Sequence, residues 1–245
     1  QPNLCYAGHT DVVPPGNIKD WSVDPFKAVI KNNYLIGRGA NDMKSSIACF
    51  LAAVSSFLKN KKKFNGSISF LITGDEEAQA INGTKKVVDY LIKKKQKIDF
   101  CIVGEPTNPN KLGEMIKIGR RGSLSCNLEI QGTQGHVAYP HLSNNPINSL
   151  IAICEKLKKK PLDKGNKHFQ PSNLEFTRIH VDNKVHNVIP ARAKTQFNIR
   201  YNNFHTAVSL KKMINSLVKS ICKKNKVKFK IEFLTSGDSF LTKPG

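Results

Sequence analysis

The chain has 245 residues, enough for a full hydrophobic core in one or two domains, and no apolar run approaches the roughly 20 residues that span a bilayer, which excludes a transmembrane helix. Lys and Arg number 39 against 18 Asp and Glu, for a formal charge of +21. Only six of the basic residues are Arg, and the Lys runs 61–63, 93–95, 158–160 and 223–224 fall at or beyond predicted helix ends with no interleaved aromatics, so no nucleic-acid and no membrane partner is expected; the charge favours a small polyanion.

The six cysteines form no CxxC pair and sit mostly in apolar runs, as small core residues do in a reducing compartment, so a cytoplasmic location is expected. The sequence opens directly into an apolar strand without Met and closes without a terminal helix or cap, which predicts a piece lacking both ends.

Residues 3–7 form an apolar run that stops at Gly8 and predicts a buried strand. Alternate side chains of a strand share a face, so His9 and Asp11 point the same way. A neutral imidazole is a metal ligand, and Asp11 can take its other ring N–H if the chain turns back; the pair serves equally as an ordinary structural hydrogen bond. A Gly-rich turn at 37–39 precedes a helix over about 43–59, where Ile47, Phe50, Leu51, Val54, Phe57 and Leu58 recur at helical spacing. Strand 67–73, helix 84–94 and strand 98–103 follow. Apolar strands separated by helices predict an α/β fold with a parallel or mixed sheet flanked by helices, whose ligands sit at the carboxyl ends of the strands.

From about residue 119 the texture changes. GSLSCNLEIQG alternates like a half-exposed antiparallel strand; helix 145–158, strands near 173–181 and 193–201, helix 206–223 and strand 227–234 complete a β-α-β-β-α-β unit. The predicted organisation is a catalytic domain over 1–119, an inserted α+β domain over 120–234, and a return to the first domain from 235–245.

Further acidic positions stand just after the apolar strands or in the Gly-rich turn. Asp42 lies in GRGANDMKSS before the long helix, where it serves equally well as an N-cap. Glu76 and Glu77 follow strand 67–73 in FLITGDEEA, and Glu105 follows strand 98–103 in CIVGEPT; each alone reads equally as a loop or turn residue. If the strands are sheet neighbours, these groups and His9 converge on one edge, where the carboxylates repel strongly without a cation. One imidazole among oxygen donors, with no thiolate nearby, suits zinc, cobalt or manganese. Neighbouring residues diverge in direction, so one of Glu76 and Glu77 can ligate while the other takes a proton from a water activated by the metal. The predicted chemistry is hydrolysis of an amide or ester carbonyl.

Taken in order, GHTDVVPPG, GRGANDMKSS, FLITGDEEA, GEPT, GRRGSL, QGHVAYPHLSNNPI and NVIPA resemble the dinuclear zinc amidohydrolases of the M20 peptidase group, over essentially the whole chain. The later motifs are most similar to members acting on N-succinyl-LL-2,6-diaminopimelate. The resemblance implies a zinc-peptidase-like catalytic domain and an inserted ferredoxin-like dimerisation and lid domain. It implies a homodimer with two Zn2+ per subunit, Co2+ able to substitute, that cleaves a small dicarboxylate amide to succinate and LL-2,6-diaminopimelate. The alternative is a related deacylase, acting on acetylornithine or another acylated amino acid.

By the same resemblance, His9 and Glu105 hold one zinc, Glu77 helps hold the other, and Asp42 bridges the two. Asp11 orients His9, and Glu76 is the general base and later the proton donor to the departing amine. His136 reaches across a dimer interface to stabilise the oxyanion. Ser123, Tyr139, Asn187 and Arg200 line the substrate pocket, Arg200 being suited to bidentate carboxylate binding, and Arg120 and Arg121 are further carboxylate binders. His186 stands where the pattern has a second Asn before NVIP. The last zinc ligand, a His, falls beyond residue 245, so the isolated chain is expected to be inactive or weak. His141, His168, His180 and His205 have no motif around them and are expected to be surface or core histidines.

Overall fold

The computed structural model describes residues 2–61, 63–78 and 80–243. It contains two compact units, Gln1–Ile116 and Lys117–Gly245. No helix among the described residues is long and apolar enough to cross a membrane.

The first unit is built on three strands, β1 (Asn3–His9), β2 (Ser67–Thr73) and β3 (Phe100–Val103), with helices α1 (Ser45–Asn60) and α2 (Thr84–Lys93). The strands pair in the order β2-β1-β3, and of the two arrangements the sequence leaves open, this sheet is parallel throughout. Alternation along β1 sends Cys5 and Ala7 to one face, where with Leu71 they pack on Val87 and Leu91 of α2. Tyr6 points the other way and stacks on Phe50 of α1 at 4.4 Å. One helix thus covers each face of the central strand. The side chains of β3 are exposed throughout.

A short hairpin pairs Val29–Lys31 with Tyr34–Ile36, a stretch the sequence reading leaves as loop. Its turn residues Asn32 and Asn33 both have positive φ, 51 and 64°, the requirement of a tight two-residue hairpin turn that Asn tolerates better than most.

The second unit contains β4 (Gly122–Gln131), α3 (Pro146–Lys158), β5 (Asn173–His180), β6 (Arg192–Tyr201), α4 (Ala207–Lys224) and β7 (Lys228–Gly237). The strands form an antiparallel sheet in the order β7-β4-β6-β5, the ferredoxin-like arrangement of a β-α-β-β-α-β chain. Leu124, Leu128, Ile130 and Phe197 on one face of the sheet share a core with Ile153 of α3 and Ile214 of α4. Both helix starts are chemically marked: Asn145 accepts from the Ile147 N–H ahead of Pro146, and Thr206 and Ser209 form a capping box.

The longest loop, residues 159–172, is anchored by Asp163. Its carboxylate accepts from the Gly165 and Ser172 N–H groups and from Asn202 Nδ2, and lies 3.1 Å from His205 Nε2. Burial opposes its ionisation, but the hydrogen bonds outweigh it and pull the carboxyl down to about 2. His205, without a motif in the sequence, therefore has a structural partner. Gly119–Arg120 and Phe240–Leu241 pair as a two-stranded ribbon that joins the first and last segments of this unit.

Of the cysteines, Cys5, Cys126 and Cys222 are buried as core residues, Cys154 is half-buried, and Cys49 and Cys101 are exposed; none is in a disulfide.

Candidate metal centre

The parallel sheet sets the site. His9 ends the central strand opposite Thr73, the last residue of β2, and Ala7 lies opposite Val103, the last residue of β3. Glu76, Glu77 and Glu105 therefore emerge beside His9 at the carboxyl ends of its two neighbours. His9 is only 2% exposed. Its Nε2 lies 3.1 Å from Asp42 Oδ1, 3.4 Å from Glu105 Oε1 and 3.9 Å from Glu76 Oε2. Two overlapping donor groups result, His9 with Asp42 and Glu77, and His9 with Glu76 and Glu105, each with ligand atoms within 4.8 Å of one another.

Asp42 does not cap the long helix. That helix starts at Ser45, its N-cap position is Lys44, and no side chain closes it; Asp42 sits in the preceding turn with a non-helical backbone. Met43 directs this turn. It is fully buried, and its Sδ receives the His9 N–H at 3.3 Å. A hydroxyl cluster then locks the turn to the neighbouring strand. Tyr6 OH donates to Ser46 Oγ at 2.8 Å, and Ser46 Oγ lies 2.6 Å from the Gly104 carbonyl and 2.9 Å from that of Met43. Residue 104 must be glycine because a Cβ there would fall 1.8 Å from Tyr6 Oη. The residues next to Asp42 and Glu105 are thus held by one serine.

Asp11 acts mainly through its neighbours. Its main-chain carbonyl, rather than its carboxylate, is the close partner of His9 Nδ1, at 3.0 Å against 3.4 Å. The carboxylate Oδ2 instead accepts the N–H groups of both Glu76 and Glu77. Burial opposes its charge, but these two donors outweigh burial and hold the carboxyl below its ordinary range.

Glu76 and Glu77 fall in different donor groups around His9, Glu77 with Asp42 and Glu76 with Glu105. The electrostatics calls for a cation. Burial disfavours a charged imidazole, yet the Asp11 carbonyl and the charges of Glu105, Glu76 and Asp11 raise the His9 pKa above its ordinary value. Burial, followed by the charge of Asp42, lifts Glu105 above the usual carboxyl range. A half-buried cluster of four carboxylates sharing one imidazole fits a divalent cation with mixed oxygen and nitrogen ligands.

The second unit holds the other sequence-predicted residues in two groups. Ser123 on β4 pairs with Arg200 on β6, and on its other side with Gly237 of β7. Arg121 donates to Asn173 Oδ1 and Pro171 O, so its guanidinium already has structural partners. The other group lies past the far end of β4. Gly135–His136 pairs with Val188–Ile189, the Asn187 carbonyl accepts the Val137 N–H, and the Tyr139 ring lies 5.9 Å from that of His136. His136 Nδ1 accepts the Ala138 N–H at 3.1 Å. At about 3.3 Å per residue, the run of β4 from Ser123 to Gln131 covers roughly 26 Å. Ser123 and Arg200 stand at one end of β4, and His136 and Asn187 belong to the segments that follow its other end.

The chain is 64% identical over 244 residues to a succinyl-diaminopimelate desuccinylase of Pelagibacter ubique (strain HTCC1062), covering all of this chain and 64% of that protein. It is 50% identical to the protein of that name from Parvibaculum lavamentivorans and 51% to that from Rhodospirillum centenum, covering 61% and 62% of their lengths. The chain thus spans less than two thirds of these relatives. Among solved structures, aminopeptidase PepT from Bacillus cereus matches the whole chain and 61% of its own, with a TM-score of 0.72 at 18% identity. An M20 family metallo-carboxypeptidase from Sulfolobus solfataricus matches 95% of this chain and 64% of its own, with a TM-score of 0.64 at 21% identity; both likenesses concern the fold. The model of peptidase family M20/M25/M40 matches residues 5–243, and with a cluster of candidate metal ligands at the sheet edge to go with it, this chain belongs to that family.

Proposed function

We propose that this protein is a metal-dependent amide hydrolase that removes the succinyl group from N-succinyl-LL-2,6-diaminopimelate, releasing succinate and LL-2,6-diaminopimelate. The observation that carries the reading is the 64% identity, over the whole chain, to a curated succinyl-diaminopimelate desuccinylase. His9, Asp42, Glu77 and Glu105 are the side chains that would hold two Zn2+, Asp42 serving both, with Co2+ able to substitute. Such ions supply Lewis acidity when bound, polarising a carbonyl and lowering the pKa of water towards about 7.

The remaining roles belong to the chain. The Glu76 carboxylate takes a proton from the attacking water as its oxygen bonds to the amide carbon. It returns that proton to the amine nitrogen as the C–N bond breaks. Asp11 holds the loop that aims Glu76. With its Nδ1 accepting from Ala138, a neutral His136 carries its proton on Nε2 and donates to the negative charge developing on the carbonyl oxygen.

Ser123, Arg200 and Arg120 bind a substrate carboxylate. His136, Tyr139 and Asn187 follow the opposite end of β4 from Ser123, which supports a homodimer in which each group serves a different subunit's substrate.

The test is steady-state hydrolysis by the full-length protein of N-succinyl-LL-2,6-diaminopimelate and of N-acetylornithine, before and after chelation. The succinyl compound is expected to be preferred by at least about 100-fold, with activity lost to chelator and restored by zinc. Preference for acetylornithine overturns the substrate assignment, and chelator-insensitive turnover overturns the metal.

A further inference from the structure

Ser123 is 6% exposed and its hydroxyl is only half used. Asn198, on β6 two residues before Arg200, donates through Nδ2 to Ser123 Oγ at 3.1 Å and to Ser125 Oγ at 3.0 Å. A serine hydroxyl has two lone pairs and one proton. Asn198 occupies a lone pair, and among the described residues no acceptor takes the proton. A buried O–H with no acceptor costs free energy unless a ligand completes it.

The surroundings define the ligand. Arg200 is the cross-strand partner of Ser123 and makes no ion pair among the described residues. On the other side the partner is Gly237, and a Cβ there would fall 2.7 Å from Arg120 Nη2, so the missing side chain makes room for a second guanidinium. A hydroxyl donor between two guanidinium-bearing neighbours matches a carboxylate.

We propose that Asn198 is a positioning residue for substrate binding. By donating to Ser123 Oγ it forbids the hydroxyl from turning its proton inward, and so fixes Ser123 as a donor to the substrate carboxylate held by Arg200. This rests on the reading of Ser123 and Arg200 as carboxylate binders. Sequence reasoning passes over Asn198, although its spacing of two from Arg200 on a strand puts both on one face.

The experiment is a double-mutant cycle in the full-length protein, with kcat and KM measured for the succinylated substrate in S123A, N198A, S123A/N198A and the isosteric N198D. S123A and N198A are each expected to raise KM about tenfold with kcat within about twofold of wild type, and the double variant to be no worse than S123A alone. N198D, whose carboxylate accepts the Ser123 proton and attracts Arg200, is expected to raise KM more than N198A while melting with wild-type cooperativity. A KM penalty of N198A that adds in full to that of S123A, an effect confined to kcat, or a normal KM in N198D overturns the proposal while leaving Ser123 in place. An unchanged KM in S123A removes the carboxylate reading itself, and Asn198 with it.

Discussion

Asp11 and Glu77 are joined across 66 positions by a 2.9 Å hydrogen bond from the Glu77 N–H to the Asp11 carboxylate, and the Glu76 N–H binds the same oxygen. One side chain at the exit of the central strand therefore fixes the loop after its neighbour. Asp11→Ala should free that loop while sparing the contact of His9 with the residue 11 carbonyl. Zinc affinity is expected to fall about 10- to 100-fold, as for other groups that orient metal ligands, with Asp11→Asn milder because one acceptor oxygen remains. A competition titration against a chromophoric chelator measures it; wild-type affinity in Asp11→Ala would refute the role.

In the proposed homodimer, the placement of the Ser123 and His136 groups at opposite ends of β4 predicts complementation. Glu76→Gln and His136→Ala should each lose most of the rate, Glu76→Gln by about 10²- to 10⁴-fold with its metals retained. Mixing the two inactive proteins under subunit exchange should restore about a quarter of wild-type turnover, because half of the dimers are mixed and each has one intact pair. No recovery, with exchange verified by mass, would remove the shared site.

Ser46 touches no ligand directly, yet it holds the carbonyls beside Asp42 and Glu105. Ser46→Ala should destabilise the protein by about 1–3 kcal/mol through the Tyr6 hydroxyl and carbonyls it leaves unpaired, and should also weaken zinc binding. Denaturant melts with and without zinc separate the two effects. A stability loss with unchanged zinc affinity would show that Ser46 supports the fold alone.

Asp163 gives the second unit an acid limit. Its carboxyl is at about 2 when folded and at the ordinary 3.8 when unfolded, so its contribution is fully present above about pH 4 and is lost as pH falls towards 2. The loss is on the order of 2 kcal/mol. Asp163→Asn should lower stability at neutral pH and flatten this acid dependence, as read from urea midpoints between pH 2 and 6.

Much of the architecture is legible in the sequence because burial writes a period into it. The helical spacing of Ile47 and Phe50 and the alternation of Leu124, Cys126 and Leu128 each identify an element to within two or three residues. The clustering of His9 with Glu76, Glu77 and Glu105 follows from strand ends alone, once the strands are taken as neighbours. Three features are not legible for local reasons. Asp42 before a helix is indistinguishable from a cap until Met43 and Ser46 are seen to draw its turn towards His9. The hairpin around Asn32 has strands of only three residues, too short for a pattern to register. Asn198 carries no motif; its meaning comes from the two serines opposite, more than 70 positions away.

The ribbon of Gly119–Arg120 with Phe240–Leu241, extended by the Thr242 N–H to the Ile118 carbonyl at 2.7 Å, brings the first and last segments of the second unit side by side. Residues 119 to 241 thus form a closed span whose first and last segments are tied to each other, so that fraying at one end costs the pairing of the other.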